Sequence, residues 1–188
     1  IFRVPFERWW QVLVEHHFSG MRGRFIHPVS DPAVIAGNAT VGAEIAEDLP
    51  DVDHVLVPFG GGGLVCGIAA ALRTTVSRAR IIACEIATAA PLSASLEAKE
   101  CRRVDYSPSF VDGIGSASLL PEMWELVRQS IHGVVVVTVE EAAAAIRMLV
   151  ERVRVVAEGA GAVPVAAALG GKVAGRTICC VVSGGNIN

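Results

Sequence analysis

The chain has few charged residues and no long apolar run. Charged residues make up 19% of its 188 residues, hydrophobic residues make up 52%, and the mean hydropathy is +0.51. No segment reaches the roughly 18 apolar residues that a membrane-spanning helix needs, so we predict no such helix. The net charge of −3 and the lack of a basic stripe argue against a nucleic-acid-binding surface.

This hydrophobicity has two explanations in a chain long enough for one substantial core. Parallel strands that are covered on both faces are built from continuous apolar runs. Alternatively, part of the surface is covered by another domain or subunit. Both explanations predict a chain that buries more apolar surface than its charge content suggests.

The cysteines and histidines lack the spacing of a metal or redox site. None of the cysteines forms a CxxC pair, and neighbouring His16 and His17 have no other donor at metal-ligand spacing, so we predict no metal site from them. The five cysteines are Cys66, Cys84, Cys101, Cys179 and Cys180. With no signal peptide recognised, we expect reduced, buried thiols in a cytoplasmic protein.

Short apolar runs alternate with helical patterns along the chain. The predicted strands are Arg24–His27, His54–Pro58, Arg80–Glu85, Val134–Val137 and Thr177–Val182. The predicted helices are Pro5–Phe18, Pro32–Leu49, Leu64–Leu72, Pro91–Ala98, Pro121–Ile131, Val139–Arg152 and a last one from Glu158 to Gly170. This alternation predicts an α/β fold, in which helices flank a twisted parallel sheet through right-handed crossovers.

Four consecutive glycines, Gly60 to Gly63, follow a short apolar strand and precede a helix that begins near Leu64. A backbone without Cβ atoms can bring several N–H groups close to one anion, and a helix start adds unpaired N–H groups. A second glycine-rich segment, Ser183 to Asn186, follows the last predicted strand. Because ligands of parallel sheets lie beyond the carboxyl ends of strands, we predict a phosphate site between the two segments.

The residues themselves leave the phosphate ligand open. A P-loop is excluded, because no lysine follows Gly63. A dinucleotide-binding Rossmann-like domain is one alternative: Gly61 and Gly63 fit its first two glycines, Cys66 stands at the third, and Glu85 could contact a ribose. A non-catalytic fragment that binds a phosphate ligand or self-associates is another alternative.

Five motifs occur in a recognisable order and spacing. They are HPVSDPAVIAGNATVGAEI, VLVPFGGGGLVCGIAAAL, DGIGS, EGAGA and VVSGGN. Together they resemble the fold-type II pyridoxal-phosphate-dependent enzymes, and within them the threonine and serine dehydratases and serine racemase, from about Pro5 to the end of the chain. The resemblance implies a tryptophan-synthase-β-like large domain, pyridoxal 5′-phosphate as cofactor, an amino-acid substrate and a homodimer.

The resemblance also implies roles for particular residues. The cofactor phosphate would lie on Gly60, Gly61, Gly62, Gly63 and Leu64, and the pyridine nitrogen on Ser183. A serine hydroxyl is too weak an acid to keep that nitrogen fully protonated, which favours prompt β-elimination. Glu158, Asp112 and Gly113 would lie near the cofactor.

The metal site of serine racemase has no full counterpart in this sequence. That site uses a glutamate at a strand end and an aspartate further along the chain. Glu85 matches the glutamate, but Pro91 stands in place of the aspartate and cannot be a side-chain ligand. We therefore predict no metal there.

One essential residue of the family has no counterpart either. The family's Schiff-base lysine stands in a Ser-x-Lys-x-Arg-Gly motif, whereas this chain has only Lys99 and Lys172, outside any such motif. We expect both to be solvated surface residues. The chain also begins with Ile1 rather than methionine, and it lacks the family's small domain and substrate-carboxylate loop. We therefore expect residues 1–188 to be a partial large domain, inactive alone, of a threonine or serine ammonia-lyase.

Overall fold

The sheet is built around one almost wholly buried apolar strand, β1 (His54–Pro58). In a computed structural model that describes residues 2–75 and 78–187, β1 lies between β2 (Arg80–Ile86) and β4 (Ile178–Cys180). The strand β3 (Gly133–Val137) pairs with the far side of β2, which gives the order β3-β2-β1-β4. All pairings are parallel, with Val55 opposite Ile81 and Cys179, so the predicted parallel α/β sheet is confirmed.

Helices connect the strands and cover both faces of the sheet. They are α1 (Phe6–Glu15), α2 (Pro32–Asp48), α3 (Gly63–Thr74), α4 (Pro91–Ala98), α5 (Trp124–Ser130), α6 (Val139–Met148) and α7 (Gly159–Leu169). A 3₁₀ turn, Pro121–Met123, precedes α5, and a π-helical turn, Leu149–Val153, continues α6. Both predicted N-caps are confirmed: Asp31 accepts a hydrogen bond from the Ala33 N–H, and Thr138 forms a capping box with Glu141.

Each face of the sheet contributes to its own apolar core. Val55 and Val57 of β1 lie in one core with Ile68 of α3, whereas Leu56 lies in the other with Val163 of α7. The adjacent cysteines at the end of the chain follow the same alternation, since Cys179 packs against the first core and Cys180 against the second. Coverage of β1 and β2 on both faces accounts for part of the high hydropathy.

The packing of α2 against α3 is very close and depends on two glycines. A Cβ on Gly42 would lie 2.6 Å from the Ile68 carbonyl oxygen, and a Cβ on Gly67 would lie 2.5 Å from the Ile35 carbonyl oxygen. Backbone therefore lies against backbone at this crossing. This contact fixes where α3 begins, and so where the four glycines lie.

Three boundaries differ from the prediction. The predicted strand Arg24–His27 is wrong: this segment is not a strand, and the Asp31 N–H donates to the His27 carbonyl in the turn that enters α2. The helix α1 ends at Glu15 because His16 adopts a left-handed conformation with φ of 53°. The helix α6 ends at Met148, where the backbone passes into the π-helical turn.

Apolar side chains also remain at the surface. Ile26, Val156 and Leu169 each expose about 60% of their area, which leaves room for the second explanation of the hydropathy. Within residues 2–75 and 78–187, no helix has both the length and the apolar character needed to cross a membrane.

Candidate functional site

The four glycines lie at the carboxyl end of β1 and lead directly into α3. The helix begins at Gly63, and its N-cap Gly62 has φ of 98°, in the left-handed region that favours glycine. The Cys66 N–H donates to the Gly62 carbonyl at 3.0 Å, which is the first hydrogen bond of the helix. The N–H groups of Gly63 and Leu64 therefore have no acceptor within the helix.

The backbone donors of this loop also have no acceptor elsewhere in the described part of the chain. No carbonyl, carboxylate or hydroxyl oxygen of the described residues accepts from the N–H groups of Gly60 to Leu64. Unpaired N–H groups at the start of a helix, next to the positive end of its dipole, form a site for an anion. The donor set therefore fits a phosphate group.

Two valines pack against the glycine loop. A Cβ on Gly61 would lie 2.6 Å from Val29 Cγ2, and a Cβ on Gly63 would lie 2.6 Å from the Val29 carbonyl oxygen. A Cβ on Gly62 would lie 2.6 Å from Val127 Cγ2. Side chains at these positions would push the loop off its supports, so the glycines keep the backbone donors in one arrangement.

The second glycine-rich segment lies beside the first, as the sequence predicted. The Val181 N–H donates to the Leu56 carbonyl at 3.0 Å, which keeps the segment after β4 alongside β1. The start of α7 packs closely on it, since a Cβ on Gly161 would lie 2.9 Å from the Gly184 carbonyl oxygen. Ser183 is exposed, and its hydroxyl has no hydrogen-bond partner among the described residues.

A third loop links these two segments. A Cβ on Gly60 would lie 3.3 Å from Ile114 Cα and 3.4 Å from the Gly113 carbonyl oxygen. A Cβ on Gly113 would in turn lie 3.0 Å from Ala160 Cβ, at the start of α7. The structure thus brings together the DGIGS, EGAGA and glycine-rich motifs at one end of the sheet. Asp112, by contrast, is exposed.

The side chain of Glu158 lies at the centre of these contacts. It is the N-cap residue of α7, but its carboxylate caps no N–H group of the helix. An ideal Cβ on Gly184 would lie 2.7 Å from its Oε1 atom, and one on Gly113 would lie 3.6 Å away. None of the four motifs that meet here contributes a lysine or arginine. An anion at this site would therefore depend on backbone N–H groups and the α3 dipole.

The two lysines lie apart from these motifs, as predicted. Lys172 forms an ion pair with Glu141 Oε1 at 3.0 Å, on the α6 and α7 side of the sheet. Lys99 is the exposed C-cap residue of α4, where it adopts a left-handed conformation. Neither lysine contacts the glycine loop or Ser183.

Glu85 has a structural role instead of the ribose contact that a dinucleotide site would need. The residue is 1% exposed, and its carboxylate accepts hydrogen bonds from the N–H groups of Leu92 and Ser93 and from the Ser93 hydroxyl, all at 2.8 Å. These bonds satisfy the first turn of α4. The dinucleotide interpretation therefore loses its acidic residue.

Burial of Glu85 should make stability depend on pH. Burial raises the pKa of this carboxyl above its usual 4.5, against the opposing effect of the three hydrogen bonds that it accepts. Above pH 4.5 the folded chain then keeps a proton that the unfolded chain releases, so this contribution to stability falls as pH rises towards the raised value.

Urea unfolding from about pH 4 to pH 7 would measure this effect, with Glu85→Gln as the non-titrating control. We expect the stability of the natural chain, relative to Glu85→Gln, to decrease as pH rises. A relative stability that is constant or increases across this range would contradict the expectation.

Sequence reasoning missed several residues around the site. Val29 was part of a recognised motif, but nothing in the sequence indicated its contact with Gly61. Val127 lies in a helical pattern that gave no sign of its contact with Gly62. A further cluster of His16, His27 and Glu122 was also missed, because its members are far apart in the sequence.

Comparison with known proteins identifies what these motifs are similar to. Residues 13–184 match the family model described as pyridoxal-phosphate dependent enzyme. The chain is 44% identical over 165 residues to an L-threonine ammonia-lyase of Thermotoga maritima, covering 87% of this chain and 41% of the relative. It is 39% identical to the catabolic L-threonine dehydratase of Escherichia coli K12, covering 89% of this chain and 53% of that protein.

Solved structures show the same similarity. A threonine deaminase from the organism abbreviated T.th. superposes with a TM-score of 0.80 at 34% identity, covering 87% of this chain and 62% of that one. Maize serine racemase superposes with a TM-score of 0.82 at 31% identity, covering 88% and 54%. The chain thus spans about half the length of the curated relatives that it matches.

Proposed function

Because this chain belongs to the pyridoxal-phosphate dependent enzyme family, we propose that its glycine loop binds the phosphate of pyridoxal 5′-phosphate. The residues that would hold this phosphate are Gly60, Gly61, Gly62, Gly63 and Leu64. The observation that supports this most is the set of backbone N–H groups without a protein acceptor at the start of α3. Such donors suit a dianion that no lysine or arginine of the neighbouring motifs would neutralise.

Ser183 is the proposed partner of the pyridine nitrogen. Its position supports this, because the exposed hydroxyl follows β4 and the glycine loop follows the adjacent β1. A hydroxyl can donate to a neutral ring nitrogen but supplies no negative charge to hold a proton there. Glu158 lies on the other side of Gly184, and the close packing of α7 on the segment would keep Ser183 in place.

For the intact protein we propose an ammonia-lyase of the threonine and serine dehydratase type. Such an enzyme removes the β-hydroxyl and the amino group of its substrate, and releases a 2-oxo acid and ammonia. Bound pyridoxal phosphate supplies an electron sink for the α-carbon of an amino acid. The residues of this chain would bind and orient that group, and the packed glycine motifs would limit the access of water.

The base that removes the α-proton is not among the described residues of this site. Neither Lys99 nor Lys172 contacts it. We propose that residues 1–188 are part of a larger cofactor-binding domain in a cytoplasmic homodimer. The lysine and the small domain would belong to the part of the longer relatives outside the match. This chain alone would then bind the cofactor without turnover.

An activity assay of the longest gene product that contains this chain tests the proposal. We expect 2-oxobutanoate from threonine or pyruvate from serine, together with ammonia, and neither product from residues 1–188 alone. Turnover by residues 1–188 alone would overturn the division of roles. A long gene product that binds pyridoxal phosphate but eliminates neither substrate would overturn the ammonia-lyase assignment.

A further inference from the structure

Three side chains that could bind a metal converge on the α2 and α3 side of the sheet, separate from Ser183 and Glu158. His16 ends α1, His27 lies in the turn before α2, and Glu122 lies in the 3₁₀ turn before α5. One ligand atom of each lies within 4.8 Å of the other two. The proposed cofactor site uses none of the three.

His27 presents an unsatisfied nitrogen to this cluster. The side chain is buried, with 2% exposure, and its Nδ1 atom accepts from the N–H groups of Val29 at 3.1 Å and Ser30 at 2.8 Å. Its other nitrogen, Nε2, is buried and has no partner. An orphaned polar atom in a native core is costly, which points to a partner that the protein chain does not supply.

His16 and Glu122 form the open side of the cluster. His16 Nε2 lies 3.3 Å from Glu122 Oε1, and both side chains are partly exposed. The ring centroid of His16 lies 4.5 Å from that of His27. An ion from solvent can therefore reach the cluster from this side, and the two exposed side chains can adjust around it.

We propose that His16, His27 and Glu122 bind a divalent transition-metal ion of the zinc class. Two imidazole nitrogens and one carboxylate oxygen are a donor set that zinc prefers, with water completing the coordination. Metal–ligand distances of about 2.0–2.2 Å require donors about 3.5 Å apart. His16 and Glu122 already meet this spacing, so binding needs only a small inward movement of the cluster.

The hydrogen bonds of His27 define the proton balance of binding. Because Nδ1 accepts two N–H groups, the neutral ring carries its proton on Nε2. The metal takes the place of that proton, which passes to solvent or buffer. The Val29 and Ser30 N–H groups then stabilise the negative charge that the ring gains.

Zinc binding to the purified chain tests this site. Equilibrium dialysis with zinc chloride in a Cys101→Ser background removes the exposed thiol as a competing ligand. We expect one ion per chain, with affinity lowered about tenfold or more in His16→Gln and in Glu122→Gln. His17→Gln is the matched control, because His17 is the neighbouring exposed histidine and is not part of the cluster.

The outcomes of the dialysis are distinct. Equal binding by the His16→Gln and His17→Gln variants would overturn the proposal, and so would the absence of zinc binding in the background chain. Circular dichroism of each variant would show whether it remains folded, and both substituted residues are partly exposed. Since no pyridoxal compound is added, the result is independent of the proposed cofactor site.

Discussion

Replacement of Gly67 by alanine should destabilise the chain by about 3 kcal/mol, because the new methyl group has no space. It would lie 2.5 Å from the Ile35 carbonyl oxygen, 2.6 Å from Asn38 Cβ and 2.9 Å from the Ala39 nitrogen. Two of these atoms are backbone atoms of α2, so relief requires the two helices to move apart. That movement would also displace the start of α3. Urea unfolding followed by circular dichroism measures the loss.

Gly37 provides the matched control within α2. A Cβ at Gly37 would meet no atom within 4 Å, and the residue is helical. Gly37→Ala should therefore stabilise the chain by roughly 0.5–1 kcal/mol, since alanine loses less conformational entropy in a helix. Similar effects of Gly37→Ala and Gly67→Ala would show that helix propensity, and not the close crossing, decides stability here.

Gly61→Ala should weaken binding of a pyridoxine phosphate by about tenfold to 100-fold, equivalent to the loss of one or two charged hydrogen bonds. The new Cβ would lie 2.6 and 2.7 Å from the two γ-carbons of Val29. Either the loop or Val29 has to move, and movement of the loop takes its N–H groups out of position. Equilibrium dialysis with pyridoxine 5′-phosphate measures the change.

Removal of the Val29 γ-carbons should restore binding to the Gly61→Ala variant. In the Val29→Ala, Gly61→Ala double variant, the nearest remaining side-chain atom is Val29 Cβ at 3.2 Å, a tight but tolerable contact. Gly63→Ala is the matched control, because its Cβ would meet the Val29 carbonyl oxygen at 2.6 Å, which Val29→Ala leaves in place. Rescue of both variants, or of neither, would contradict this account of the loop.

The fold was largely predictable because its elements are locally encoded. The strand β1 and the helix α4 have the predicted bounds, since the apolar run of β1 and the proline that begins α4 mark them in the sequence. The capping box of α6 was predicted from Thr138 and Glu141 alone. In these cases the local signal and the tertiary packing agree.

The errors occurred where tertiary contacts decide the local structure. The apolar run Arg24–His27 has the composition of a strand, but the turn around His27 leads directly into α2. The sequence also gave no reason for His16 to leave the helical conformation at the end of α1. Neither position carries glycine or proline, the residues that usually mark such a change.

The candidate site was predictable in its motifs but not in its contacts. The glycine loop and the Ser183 segment follow adjacent parallel strands, so their proximity follows from topology. The support of the loop by Val29 and Val127 could not be predicted, because it depends on how α2 and α5 pack. The pairing of His16 with Glu122 joins residues 106 positions apart, and no local pattern encodes it.

Binding of pyridoxine 5′-phosphate and of pyridoxine to the purified chain tests the central claim most directly. Neither compound has the aldehyde of pyridoxal phosphate, so neither can react with Lys99 or Lys172, and the two differ only in the phosphate. If the N–H groups of Gly60 to Leu64 hold that phosphate, the phosphorylated compound should bind at least about 100-fold more tightly. Equal affinity for the two compounds would show that the glycine loop is not a phosphate site.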